Sequence, residues 1–284
     1  MLVPTTVAAS ANATRTARVP HFVFIARAHR DAPHRDSLVD AWRRAIAEYF
    51  PADGAEGQLG PGEAYFTVRE GTLEELDPAD VRNDCIVSPA NSFGIMDGGF
   101  DLVLSRAFQG RSADVYALTD HVQATLGTRW GGFAPAGTCT LVPLPAGVSG
   151  RGGNKWGTHT LAVLPTMKEP EWVGWHRELV YNGMWSLLCE IGRWNEEAEG
   201  AGRDAGGRQC LETKREGEKK GQERIERVVM TGLGTGTGGV SAARCGRQMV
   251  LAVKHYLQGL PEKVRWDSAE EKRRMQDLNA TIDV

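Results

Sequence analysis

Apolar and polar positions along this chain fall into short blocks that read alternately as strands and helices. Residues 21–26 form a brief apolar run suited to a strand, and residues 38–46 carry apolar positions at helical spacing behind a Ser37 cap, with Pro51 closing the helix. A Gly-rich connection leads to strands at 64–68 and 85–88, with a turn of helix at 73–76 between them. Residues 102–108 read as helix. Residues 138–142 and 158–164 read as strands, separated by the turn-rich stretch 143–157. A helix over 178–191 follows, with Trp185, Leu188 and Cys189 on its apolar side. The stretch 195–224 is polar, Gly-rich and mixed in charge, so it predicts a disordered or solvated insertion. Residues 227–230 form a strand that runs straight into a glycine loop, and 241–257 a helix. The charged end of the chain holds a peripheral helix at 268–278.

This alternation predicts an α/β protein whose largely parallel sheet is covered on both faces. The expected organisation is a flexible tail over 1–20, one domain over 21–260 interrupted at about 195–224, and a charged extension over 261–284. At 284 residues the chain fits one large α/β domain. A hydrophobic content of 41% is enough for a packed interior, and no apolar run reaches the roughly 20 residues of a spanning helix. Membrane placement is therefore not expected. The net charge of −3 argues against a dedicated duplex-DNA surface, though not against an anionic small molecule. Five cysteines without a C-x-x-C pair, in a chain too large to need staples, predict free thiols and a reducing compartment, cytoplasmic or nuclear. The acid-free start with Arg15 and Arg18 weakly resembles an organelle transit peptide, and there is no secretory apolar segment.

Sheets of this kind bind ligands beyond the carboxyl ends of their strands. Two segments stand at such ends. Gly232-Leu233-Gly234-Thr235-Gly236-Thr237-Gly238-Gly239 has five glycines in eight residues and opens a helix. Its bare backbone can turn peptide amides outward, and the helix dipole adds to them, so an anion can be held without Lys or Arg. Gly234, Gly236 and Gly239 satisfy G-x-G-x-x-G, but no strand ending in Asp or Glu follows, as a Rossmann site requires. A P-loop fails because Val240 and Ser241 stand where Lys-Ser/Thr is needed. In the other segment, Ser88-Pro89-Ala90-Asn91-Ser92 precedes Gly98-Gly99-Phe100-Asp101 and a helix. Asn91 offers an amide to sugar hydroxyls, and Asp101 reads either as a helix N-cap or as an ionised acceptor.

These residues resemble the macrodomain family. Ile86-Val87-Ser88-Pro89-Ala90-Asn91-Ser92 followed by Gly98-Gly99-Phe100-Asp101 is similar to its V-N-A-A-N-S and G-G-V-D, and Gly232 to Gly239 to its G-I-S-T-G-x-x-G loop. The likeness spans residues 62–258. It implies a three-layer α/β/α fold with a mixed, largely parallel sheet and a cleft for ADP-ribose or an ADP-ribosylated macromolecule. The resemblance implies catalytic roles for Asn91, at the distal ribose, and Asp101, beside the attacking water. Ala90, Ser92, Gly98, Gly99, Phe100 and the run Gly232, Leu233, Gly234, Thr235, Gly236, Thr237, Gly238, Gly239 and Val240 would hold the ligand. The activity implied is hydrolytic removal of ADP-ribose from protein or nucleic acid; a non-catalytic reader and an ADP-ribose 1″-phosphate phosphatase are the alternatives.

Three departures from the family pattern bear on this. Gly71-Thr72 replaces the Gly-Asp that grips adenine, leaving Glu70 or Glu74 as substitutes. Thr237-Gly238 replaces the aromatic over the distal ribose, and Ser88-Pro89 replaces Asn-Ala. No resident cofactor and no metal are expected, because no His/Cys set has ligand spacing. A nicotinamide oxidoreductase is the competitor of a different class. His159 reads as a core or strand-edge residue, Cys245 as a small buried one, and Trp172 and Trp175 as packing side chains, with a lid as the alternative.

Overall fold

A computed structural model describes residues 19–27, 37–51, 61–201, 222–259 and 269–282. Residues 1–18 of the tail expected over 1–20, and 202–221 of the insertion expected at about 195–224, lie outside the described residues. Strand β1 (His21–Ala26) leads to helix α1 (Leu38–Tyr49), then β2 (Phe66–Glu70) and β3 (Cys85–Ser88). Helices α2 (Gly99–Phe108) and α3 (Ala117–Trp130) come next, followed by β4 (Thr140–Pro143) and β5 (Thr160–Val163). Helix α4 (Leu179–Ala201), β6 (Arg227–Met230), α5 (Ala242–Gln258) and α6 (Ala269–Asn279) complete the order.

The strands pair in the order β2-β1-β6-β3-β5-β4, parallel throughout except for β4, which runs antiparallel to β5 at one edge. Alternation along each strand divides the core in two. Phe22, Phe24 and Val87 pack with Trp42, Met184 and Met249 beneath α1, α4 and α5. Val23, Ile25 and Ile86 pack with Leu104, Val122 and Leu126 beneath α2 and α3 on the other face. The fold is thus a three-layer α/β/α sandwich with a mixed, largely parallel sheet. Helices α1 and α5 approach closely because Gly246 has no side chain; a Cβ there would lie 2.9 Å from the carbonyl carbon of Ala41.

Two elements depart from the pattern in the sequence. Helix α3 escapes periodicity because its buried residues, Leu118, Thr119, Val122 and Leu126, make a narrow row in an otherwise polar segment whose start has no side-chain cap. Helix α4 continues past residue 191 into the stretch expected to be solvated. There Asn195 is a buried bracket, its Oδ1 accepting from the Ile225 amide at 2.8 Å and its Nδ2 donating to the Ile225 carbonyl at 2.8 Å. A polar residue that reads as loop in fact fixes the chain just ahead of β6.

Candidate functional site

Strands β3 and β6 are neighbours, with Cys85 opposite Val228 and Ile86 opposite Val229, so their following loops emerge side by side. Between the loops lies a cleft of about 450 Å³. Its walls include Pro89, Ala90, Asn91, Ile95 and Asp97 from one loop and Gly98, Gly99, Phe100 and Asp101 from the start of α2. Thr231, Gly232, Gly234, Thr235, Gly236 and Thr237 come from the glycine loop, and Thr166, Met167 and Pro170 from the segment after β5. Most of the expected site residues are therefore gathered at one place. Ser92, Leu233, Gly238, Gly239 and Val240 do not line the cleft. Ser92 is buried and ties its loop to the carbonyl of Met167, while Leu233 and Val240 are core residues. Thr166, Met167 and Pro170 escaped the sequence reading because no motif marks them; hydrogen bonds from the Thr166 amide to the Ala90 carbonyl and from the Ser92 amide to the Met167 carbonyl bring them in.

The glycine loop is held by its own backbone. The amides of Gly239 and Val240 donate to the carbonyls of Gly236 and Gly234, at 3.1 and 3.0 Å. Gly234 and Gly239 both sit at φ +67°, a region that L side chains rarely adopt. Among the described residues nothing accepts from the amides of Thr235, Gly236 and Thr237. Across the cleft, Gly98, Gly99 and Phe100 present the first amides of α2, which have no partner within the helix. Among the described residues, the only ionisable side chains lining the cleft are Asp97 and Asp101.

Asn91 holds its own loop. Its Oδ1 accepts from the amides of Phe93 and Ile95, at 3.1 and 3.2 Å, and its Nδ2 donates to the Ile95 carbonyl at 2.7 Å. One N–H of the side chain is left for a ligand. Asp101 lies in the first turn of α2, but Gly98 holds the capping position, so Asp101 is not the cap. Instead it is buried, and Oδ1 accepts a 2.6 Å hydrogen bond from the fully buried Ser88 hydroxyl. Burial pushes the Asp101 carboxyl up to about 7 and the nearby Asp97 charge adds to this, while the Ser88 hydrogen bond opposes it.

At the expected adenine end, Glu75 rather than Glu70 or Glu74 reaches Thr72. Its Oε2 accepts from the Thr72 amide at 3.1 Å, and it pairs with Arg27 at 3.0 Å. A larger polar cavity of about 590 Å³ opens at the opposite ends of the strands, lined by Arg82, Arg151 and His159 among others. His159 is thus remote from the cleft, bonded to the Thr160 hydroxyl and the Arg224 carbonyl. Cys245 is buried and its thiol is pushed up to about 12, so it is no nucleophile. Trp172 and Trp175, expected to pack, are instead largely exposed, with the Trp172 ring against Gly239 of the glycine loop. Among the described residues no group of three or more His, Cys, Asp or Glu side chains could hold a metal, and no helix is long and apolar enough to cross a membrane.

Fold and cleft together define a three-layer α/β/α protein with an amide-lined pocket at the carboxyl ends of two adjacent strands. No family model matches the chain and no curated protein is detectably similar to it. Solved structures similar to it include macrodomains. One is an Oceanobacillus iheyensis macrodomain with ADP, 14% identical with a TM-score of 0.40, over 71% of this chain and 85% of that one. Another is the macrodomain of Mycobacterium tuberculosis DarG, 17% identical with a TM-score of 0.36, over 77% of this chain and 92% of that one.

Proposed function

We propose that this protein binds ADP-ribose in the strand-end cleft and hydrolyses its bond to a modified macromolecule. The observation that carries the reading is the set of amides, unpartnered among the described residues, that face one another from the glycine loop and the start of α2 in a cleft that no described basic side chain lines. Such a surface suits a diphosphate, which takes many amide hydrogen bonds and gains from the dipole of the ten-residue α2. The cleft volume lies within the roughly 300–1,000 Å³ of small-molecule sites.

In the hydrolytic reading Asp101, as the carboxylate, accepts a proton from a water positioned at the anomeric carbon of the distal ribose. The water oxygen bonds to that carbon, the bond from carbon to acceptor breaks, and the acceptor leaves carrying the proton. Ser88 holds one carboxylate oxygen and leaves the other for the water. Asn91 sets the loop that shapes the ribose end of the cleft. One observation favours a reader over a hydrolase: Asp101 is largely protonated below about pH 7 and then cannot act as base. The two readings separate on pH. A hydrolase gains turnover as pH rises through about 7, and a reader shows none at any pH.

Gly236→Val tests the site without disturbing the fold. Gly236 has no positive φ, and a Cβ there meets no atom within 4 Å. The expected result is an unfolding midpoint close to wild type with ADP-ribose affinity reduced at least about tenfold, because the side chain projects where the ligand would lie. Unchanged affinity by calorimetry contradicts the assignment of this cleft.

A further inference from the structure

We infer that the rim of the cleft is a docking surface for a polypeptide that flanks the modified residue with apolar and basic side chains. This rests on the reading of the cleft as an ADP-ribose site and names what lies beyond the ADP-ribose. Most of the large apolar side chains that are exposed among the described residues sit on loops bounding the cleft. Trp172 and Trp175 are each 63% exposed, Phe93 40% and Ile95 38%; Phe133, 42% exposed, comes from the loop after α3, and Tyr116 and Met275 lie elsewhere. Clustering of this kind marks an interaction site, whereas apolar residues scattered singly do not.

The two sides of the rim are fastened together. Asn91 bridges to Met167, and the Ser92 amide bonds the carbonyls of Met167 and Lys168, so the loop of Phe93 and Ile95 abuts the segment that leads to Trp172. Phe93 and Phe133 meet edge to face at 5.5 Å. Trp172 is held in place although it buries little of itself: Cβ atoms added at Gly174 and Gly239 would lie 2.5 and 2.6 Å from its ring. Trp175 stacks on His176 at 5.4 Å. Rigid aromatic rings already fixed in place lose little conformational freedom on binding, which is why tryptophan dominates interface energetics.

The charge among these rings selects the partner. Asp97, Glu169, Glu171 and Glu178 outnumber Lys168, Arg177 and Arg244 by one; Lys168 is paired with Glu169 at 3.0 Å, and Arg244 donates to the Gly174 carbonyl at 2.9 Å. A nucleic-acid strand needs aromatic rings inside a basic groove, and this rim carries an acidic excess. A peptide with Lys or Arg beside apolar residues matches both features.

The full-length protein is titrated with free ADP-ribose, with a Lys- and Phe-containing peptide carrying one ADP-ribosyl group, with its Glu-for-Lys counterpart, and with a single-stranded oligonucleotide carrying the same group. The expected result is that the basic peptide conjugate binds about tenfold tighter than free ADP-ribose. Trp175→Ala and Glu171→Lys each remove most of that gain and leave the affinity for free ADP-ribose unchanged. Equal affinity for free ligand and basic conjugate, or preference for the acidic or oligonucleotide conjugate, overturns the inference while the cleft assignment stands. Failure of free ADP-ribose to bind at all overturns the cleft assignment itself.

Discussion

Asp101 lies under opposing influences from its immediate neighbours. Burial and the Asp97 charge favour its protonated form, and the Ser88 hydroxyl favours the carboxylate. A carboxyl whose folded pKa is raised stabilises the fold fully when pH is below the unfolded value near 4, and that contribution disappears as pH rises through about 7. Asp101→Asn is therefore expected to gain stability relative to wild type between those limits, by roughly 2–4 kcal/mol at pH 8. Urea midpoints measured across that range check the prediction, and parallel curves contradict it. Ser88→Ala removes the interaction that favours the carboxylate, so the rise of turnover with pH is expected to move to higher pH; an unmoved profile means that Ser88 only packs. The sequence placed Asp101 at a helix start but could not tell a solvated cap from a buried carboxylate. That distinction depends on Ser88, thirteen residues earlier in the chain, whose hydroxyl reaches Asp101 only because β3 ends directly beneath α2.

At the scale of elements, strands β1, β3, β5 and β6 were legible because each is a short β-branched or aromatic run bounded by turn residues. Helix α1 was legible from its Ser37 cap and α5 from the strand and glycine loop that open it; Ser37 and Ser241 both accept from amides three residues on, those of Asp40 and Arg244. Helix α3 and the end of α4 were not, since a narrow apolar row and a buried asparagine resemble surface in a one-dimensional pattern. The layer of α4, α5 and α6 carries its own titratable group. His255 is buried, its Nδ1 within 3.0 Å of the Tyr181 hydroxyl, and its pKa is lowered to about 4 by burial first and by the Arg274 charge second, against a raising influence from Asp277. A depressed histidine pKa gives stability that is present above about 6.5 and lost as pH falls through about 4. His255→Gln keeps a partner for Tyr181 and removes the proton uptake. The variant is expected to lose less stability than wild type between pH 6.5 and 4, measured by urea unfolding, and equal losses would exclude His255 as the source.

For the whole molecule, the consequence of the topology is that loops separated by well over a hundred residues form one pocket. The adjacency of β3 and β6 does this, and it gathers into one cleft the amides proposed above to hold an anion in a protein of net charge −3. The existence of both loops was readable from their glycines and from the strands that feed them. Their neighbourhood was readable only through resemblance, because strand order follows from how helices cover the sheet and leaves no local mark. The segment after β5 joined the site for the same reason, and the exposure of Trp172 and Trp175 is likewise a property of the assembled surface. The most direct measurement is isothermal titration of the full-length protein with ADP-ribose. A single site with micromolar or tighter affinity, accompanied by a rise in the unfolding midpoint, is the predicted result. Neither heat nor a thermal shift at roughly millimolar ligand would contradict the account at its centre.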